Sequence, residues 1–238
     1  MVLNFRMIGR VSGMIMLILG TAMIPCIMIS LNYNEGKTAL AFFYSMLAML
    51  GIGLAAQQIR ASEKKPTLRD AYVIVALCWV LSSMLGAVPF VVSGAIPSYV
   101  DALFESVSGL TATGATQLSN VESLPKGILF WRSFNQWLGG MGILVFAIAI
   151  LPALGIGMQQ LMKAETPGPM LDKMTPKIAD TAKILYIIYI AMTVLEFVLL
   201  LIGGMSPFDA LLHTFGTVSS GGYSNYNTGI RFFDSAYV

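Results

Sequence analysis

Two short runs in this chain combine small hydroxylated residues with glycine: Thr111-Ala112-Thr113-Gly114-Ala115 and, 108 residues later, Ser219-Ser220-Gly221-Gly222-Tyr223. Such residues suit the coordination of a cation stripped of its water. Main-chain carbonyls can replace a hydration shell without burying a full negative charge. The backbone supplying them must be extended, and glycine reaches the required φ > 0 states without a Cβ penalty. The predicted ligands are the carbonyl oxygens of Thr111, Ala112, Thr113, Ser219, Ser220 and Gly221, with threonine and serine hydroxyls as additional oxygens. A single string of this kind is usually a turn. Its repetition at one fixed offset points to an ion site.

Each loop needs an element to aim it. The windows Ser98–Thr116 and Ser206–Ser224 align without a gap and share Ser98/Ser206, Asp101/Asp209, Ala102/Ala210, Leu103/Leu211 and Gly114/Gly222. Each opens with Ser-x-x-Asp, a helix-capping signal, and Pro207 adds a residue suited to the first helical position. An apolar run of about ten residues follows, too short to cross a bilayer. The spacing predicts short helices over 98–110 and 206–218, with loops at 111–115 and 219–223. Their carbonyl ends, carrying roughly half an elementary negative charge, would face the cation. Asp101 and Asp209 read first as capping residues and second as part of an attracting vestibule.

Hydrophobic residues make up 56% of the chain and charged residues only 11%, against roughly 25% charged in ordinary soluble domains. Five stretches are long and apolar enough to span a membrane: 11–31, 38–59, 71–92, 128–151 and 183–203. The fold class is therefore an all-α polytopic membrane protein. Residues 1–68 read as a leading transmembrane hairpin, with Gly20 and Pro25 predicting a kink. Residues 69–155 form a first repeat, with helix 71–92, short helix 98–110, loop 111–115 and helix 128–151. Residues 156–182 are a linker, and 183–238 a second repeat with helix 183–203, short helix 206–218 and loop 219–223.

Charge sets the expected orientation. Arg6, Arg10, Arg60, Lys64, Lys65, Arg69, Lys163, Lys173, Lys177 and Lys183 fall on one side, and Lys37, Lys126, Arg132 and Arg231 on the other. By the positive-inside rule the N-terminus and both basic connections are cytoplasmic. That parity survives only if 99–116 dips into the bilayer and returns to the same side.

Individual residues carry further expectations. Trp131 and Trp137 suit the outer interface, Gly139, Gly140 and Gly142 a close-packing seam, and Arg132, Asn135 and Gln136 anchorage of the fourth helix against the loops. Glu196 lies mid-helix and needs protonation or a hydrogen-bonding partner. His213, at the position of Glu105, reads as a packing residue, and Cys26 and Cys78 imply no disulfide. With one histidine, no metal-ligand cluster, no phosphate loop and no triad, the chain does not read as an enzyme. It implies no covalent cofactor and no nucleic-acid partner.

The runs FESVSGLTATGAT, LPKGILFWRSFNQWLGGMGILVFAIAILPALG and MKAETPGPMLDKMTPKIADTAKILYIIY resemble the membrane subunit of bacterial Trk-type potassium uptake systems, within the Trk/Ktr/HKT superfamily. The likeness covers most of the chain from Arg69 onward, plus a leading hairpin. It implies helix/pore-helix/helix repeats with re-entrant filter loops around a pseudo-fourfold pore. It makes potassium the substrate and gives each repeat one key filter glycine, here Gly114 and Gly222. It also implies a bacterial inner-membrane location, a homodimer of the full-length protein and a cytosolic nucleotide-binding regulatory subunit docking near the basic linker 159–183. The third and fourth repeats and the return helix of the second have no counterpart in these 238 residues, so the chain reads as an N-terminal half. Two other readings stand beside potassium uptake. One is a non-conducting fragment or assembly partner. The other is a secondary transporter whose broken helices bind another solute, which predicts inverted repeats where these two run parallel.

Overall fold

The computed structural model describes residues 4–59, 68–150 and 175–235, and no strand occurs among them. The helices are α1 (Phe5–Ala22), α2 (Ile24–Asn32), α3 (Gly36–Gln57), α4 (Leu68–Gly86), α5 (Val88–Val92), α6 (Tyr99–Leu110), α7 (Lys126–Ile150), α8 (Thr175–Ile202) and α9 (Pro207–Val218), followed by a 3-10 turn at Gly229–Phe233. Four stretches among the described residues are long and apolar enough to cross a membrane: Phe5–Asn32, Gly36–Gln57, Val73–Val92 and Lys183–Ile202. The chain is a multi-pass membrane protein. Over the fourth predicted span, 128–151, runs α7, 25 residues long. Most of the predicted linker, including Lys163 and Lys173, and the connection bearing Arg60, Lys64 and Lys65 lie outside the described residues.

Proline decides where the long helices break. Pro25 sits in the first turn of α2, which separates it from α1 at Met23. The span predicted as one helix over 71–92 is two, α4 and α5, parted at Ala87 with Pro89 in the first turn of the second. A proline lacks the N–H that would continue the preceding ladder. α8 starts at Thr175 rather than 183, with Pro176 in the first turn, where its missing donor costs nothing.

Contacts between elements show which ends lie together. The Trp131 indole near the start of α7 donates to the Gly86 carbonyl at 2.9 Å, next to the α4–α5 break. The segment from Ser93 to Pro125 therefore leaves and rejoins the bundle at one end. Glu35, in the turn between α2 and α3, reaches the first residues of α7 at that end. Phe208, at the start of α9, meets Tyr33 edge-on at 5.5 Å and lies 5.2 Å from the Lys126 ammonium. The second short helix thus begins on the face where the hairpin turns.

Trp131 is not an interfacial residue: it is fully buried, in a core with Phe42, Phe90 and Leu129. The bond it gives Gly86 explains why, because that carbonyl sits at the helix break and needs a donor. Trp137 is partly buried and donates to Thr193 on α8 at 3.1 Å. The expected glycine seam is real at two of its three positions. A Cβ on Gly139 would overlap the Leu110 carbonyl, and one on Gly140 would stand 2.5 Å from the Tyr189 hydroxyl, whereas Gly142 has ordinary room beside Trp79.

The start of α7 lacks a side-chain cap of its own, because Pro125 stands where Ser or Asp would serve. Glu35 supplies the acceptor from another helix turn. Its two oxygens take the N–H groups of Lys126 at 2.6 Å and Gly127 at 3.0 Å. A carboxylate there also complements the positive end of the helix. Glu35→Ala is expected to cost about 1–2 kcal/mol and lower the melting temperature in detergent by about 2–8 °C. Glu35→Gln, which keeps an acceptor and loses the charge, should fall between.

Candidate functional site

Ser98 and Ser206 cap the two short helices, each hydroxyl accepting the N–H three residues on, at 3.4 Å from Asp101 and 3.1 Å from Asp209. The two aspartates then differ. Asp101 is exposed. Asp209 is buried and gathers Ser206 Oγ at 2.8 Å, Asn225 Nδ2 at 2.6 Å and the Tyr226 hydroxyl at 3.2 Å. It ties the start of α9 to the chain that follows the second loop.

The ends of the two helices are built alike, bond for bond. Ala112 N–H donates to Gly109 O and Thr113 N–H to Ser108 O, both at 2.9 Å; Ser220 N–H donates to Thr217 O at 2.9 Å and Gly221 N–H to Gly216 O at 3.0 Å. This is a Schellman closure with its left-handed residue at Ala112 (φ 53°) and Ser220 (φ 62°). Two residues later Gly114 (φ 73°) and Gly222 (φ 72°) turn left-handed again. A non-glycine residue in that region costs about 1–2 kcal/mol, and the chain bears the cost twice at equivalent positions.

Among the described residues, the carbonyls of Thr111, Ala112, Thr113 and Gly114, and of Ser219 through Gly222, accept no hydrogen bond. Their oxygens are uncommitted at the negative ends of two helices. Three of the loop hydroxyls donate their protons locally and keep their lone pairs. Thr111 Oγ1 donates to Val107 O at 2.8 Å and pairs with Thr113 Oγ1 at 2.7 Å, and Ser219 Oγ donates to Phe215 O at 2.6 Å. Thr111 and Ser219 return to their own helices because a hydroxyl at a helix end finds the unpaired carbonyl four residues back. The loops meet at Gly114, where a Cβ would overlap the Gly221 carbonyl, while Gly222 faces open space. A cleft of about 280 Å³ opens beside them, lined in part by Gly114, Gly222, Arg132 and Tyr223.

Behind the loops lies a buried polar hub. Glu105 on α6 and Arg132 on α7 pair at 3.0 Å with both side chains almost fully buried. Glu105 Oε1 also takes the Thr116 hydroxyl at 2.6 Å and Gln117 N–H at 2.8 Å. In the second repeat His213 stands where Glu105 does, and its Nε2 meets Ser224 Oγ at 3.1 Å, the counterpart of Thr116. His213 Nδ1 lies 2.8 Å from the Asp209 carbonyl, which can only accept, so Nδ1 carries the proton and Nε2 accepts. Burial pushes the His213 pKa down, which keeps this tautomer neutral.

Tyr223 binds the repeats together. It stands where the first repeat has Ala115, and its hydroxyl donates to Glu105 O at 3.0 Å with Ala115 O at 3.3 Å. Arg132 lies 4.2 Å from the centre of its ring. Burial first, and the Glu105 charge second, push the phenol up to about 12, so it remains a donor. Gln136 completes the anchorage, its Oε1 accepting Tyr223 N–H at 3.1 Å. Arg132 and Gln136 thus hold α7 to the loops, as expected. Asn135 is buried with no partner for its amide among the described residues. Sequence reasoning placed Tyr223 in the second loop without a role of its own and passed over Glu35. The mismatch Ala115/Tyr223 inside otherwise matched windows was the available signal for the first. Glu196 lies on α8, outside this cluster, and forms no ion pair among the described residues.

The described residues hold no group of three or more His, Cys, Asp or Glu placed to bind a metal; the uncommitted oxygens are neutral carbonyls. A family model described as TrkH, cation transport protein, matches residues 37–238. The Trk system potassium uptake protein TrkH of Escherichia coli (strain K12) is 43% identical across 99% of this chain and 49% of that protein. That of Halomonas elongata is 42% identical across 99% of this chain and 49% of its own length. The crystal structure of the potassium transporter TrkH from Vibrio parahaemolyticus superposes with a TM-score of 0.82 at 37% identity, covering 99% of this chain and 47% of that one. The chain spans about half the length of these relatives.

Proposed function

The chain belongs to the TrkH family of cation transport proteins, and from that membership we propose that it builds two walls of a potassium-uptake path in a bacterial inner membrane. One observation carries the reading: two loops of identical backbone form, 108 residues apart, each with uncommitted carbonyls at the negative end of a short helix. The carbonyls of Thr111, Ala112, Thr113, Ser219, Ser220 and Gly221 replace water around the ion, and Gly114 and Gly222 let the backbone turn. α6 and α9 serve as pore helices. Each is 12 residues long, about 18 Å, against a hydrocarbon core of about 30 Å, so each reaches partway and leaves its loop at depth. Irregular backbone is tolerable there only where protein or water covers it.

Permeation in this reading is channel-like. Potassium sheds water at the cleft, meets neutral oxygens and helix dipoles, and moves down its electrochemical gradient. Two loops supply part of a coordination ring, and the open flank at Gly222 favours further repeats as the remaining walls. Residues 69–155 and 183–238 act as pore units, 1–68 as a leading hairpin and 156–182 as a cytoplasmic linker. The positive-inside rule puts the N-terminus and the basic connections in the cytoplasm. A nucleotide-binding regulatory subunit docks on that side, and the full-length protein pairs as a homodimer.

The test is flux into liposomes carrying a full-length transporter that contains this sequence. Saturable potassium flux, with competition by rubidium, is the expected result. Flux of an organic solute that ignores potassium would overturn the reading.

A further inference from the structure

Gln136 lies one turn beyond Arg132 on α7 and is fully buried. Its amide orientation is set by its partner: Tyr223 N–H can only donate, so Oε1 faces it at 3.1 Å and Nε2 turns the other way. That nitrogen has no hydrogen-bond partner among the described residues, an arrangement that buried donors rarely keep. It is aimed at the seam between the loops. A Cβ on Gly221 would overlap it, and one on Gly114 would stand 3.7 Å from it. Its oxygen stands 3.4 Å from where a Cβ on Gly216 would be, at the closure of α9. One side chain therefore packs against the second loop and stands beside Gly114 of the first, where the two loops approach each other.

We propose that Gln136 is the positioning residue that sets the spacing of the two carbonyl loops and thereby the cation size the path selects. The inference rests on the ion-path reading above. Oε1 pins the second loop through Tyr223, and Nε2 buttresses Gly221, whose carbonyl in turn abuts Gly114. If the seam closes or opens by a few tenths of an ångström, the carbonyls of both loops move together. The unpaired N–H groups add a fixed positive edge beside Gly221, which opposes collapse of the loops onto a smaller ion.

The experiment compares Gln136→Met, Gln136→Glu and the unsubstituted protein in a full-length transporter that contains this sequence, reading potassium and sodium flux and the KM for each. Gln136→Met conserves volume and removes both polar groups, and the potassium-to-sodium ratio is expected to fall about tenfold, the scale of one lost hydrogen bond. Gln136→Glu keeps the Tyr223 bond but exchanges the nitrogen for a charged oxygen. It should lower the KM for both ions while the ratio falls. A residue that only packs would change the amount of folded protein and leave ratio and KM alone. An unchanged ratio and KM in either variant overturns the proposal. If Gln136→Met does not fold, Gln136→Glu decides alone. Absence of potassium flux in the unsubstituted protein would instead overturn the ion-path reading, and this inference with it.

Discussion

Gly114→Ala is expected to abolish potassium uptake, while Gly222→Ala leaves a measurable fraction. The two glycines share a sequence position in their repeats and nearly the same torsion, φ 73° and 72°. An alanine at either meets the same conformational cost of about 1–2 kcal/mol. If that were all, about one molecule in 5–30 would keep the loop in its conducting form, and flux would fall by that factor. Surroundings separate them. A Cβ on Gly114 would overlap the Gly221 carbonyl, whereas none lies within 4 Å of the same atom on Gly222. Main chain cannot rotate away as a side chain can, so Gly114→Ala displaces both loops at once. Uptake by potassium-uptake-deficient cells at limiting potassium measures the difference. Equal, mild losses at both positions would contradict it.

Arg132→Met is expected to be the most damaging change for folding. It leaves the Glu105 carboxylate buried without its partner, and breaking a buried pair in this way costs about 3–5 kcal/mol. Glu105 would retain Thr116 and Gln117 as donors, which offsets part of the loss. Tyr223 would lose the guanidinium against its ring. Combining Arg132→Met with Glu105→Gln removes both charges and should recover much of the stability, because the penalty comes from the uncompensated charge rather than from lack of the pair. Melting temperature and the monodisperse fraction in detergent give the comparison. A double variant no better than Arg132→Met alone would show that the geometry of the pair, and not its charge balance, holds the hub.

Much of the fold was legible because it depends on neighbours in sequence. A capping serine meets the N–H three residues on, so Ser98 and Ser206 announced the starts of α6 and α9. A proline removes a donor wherever it sits, so the kink at Pro25 could be read directly; the break beside Pro89 carried the same signal and went unread. Apolar length marks a span without reference to its partners. The offset of 108 residues between the loops needed only alignment.

What the sequence alone determined about this protein is therefore local: which stretches cross a membrane, where the short helices begin, and that two similar loops follow them. Sequence reasoning placed the left-handed turns at glycines, yet the backbone also turns left-handed at Ala112 and Ser220. Tertiary structure alone decided that Trp131 is buried, that Glu35 caps a helix 91 residues away, and that Tyr223 reaches Glu105 across 118. The reason is physical. Caps and helix breaks are satisfied within one turn of chain, whereas a buried charge or an orphaned carbonyl accepts any donor that packing brings within about 3 Å, however remote in sequence.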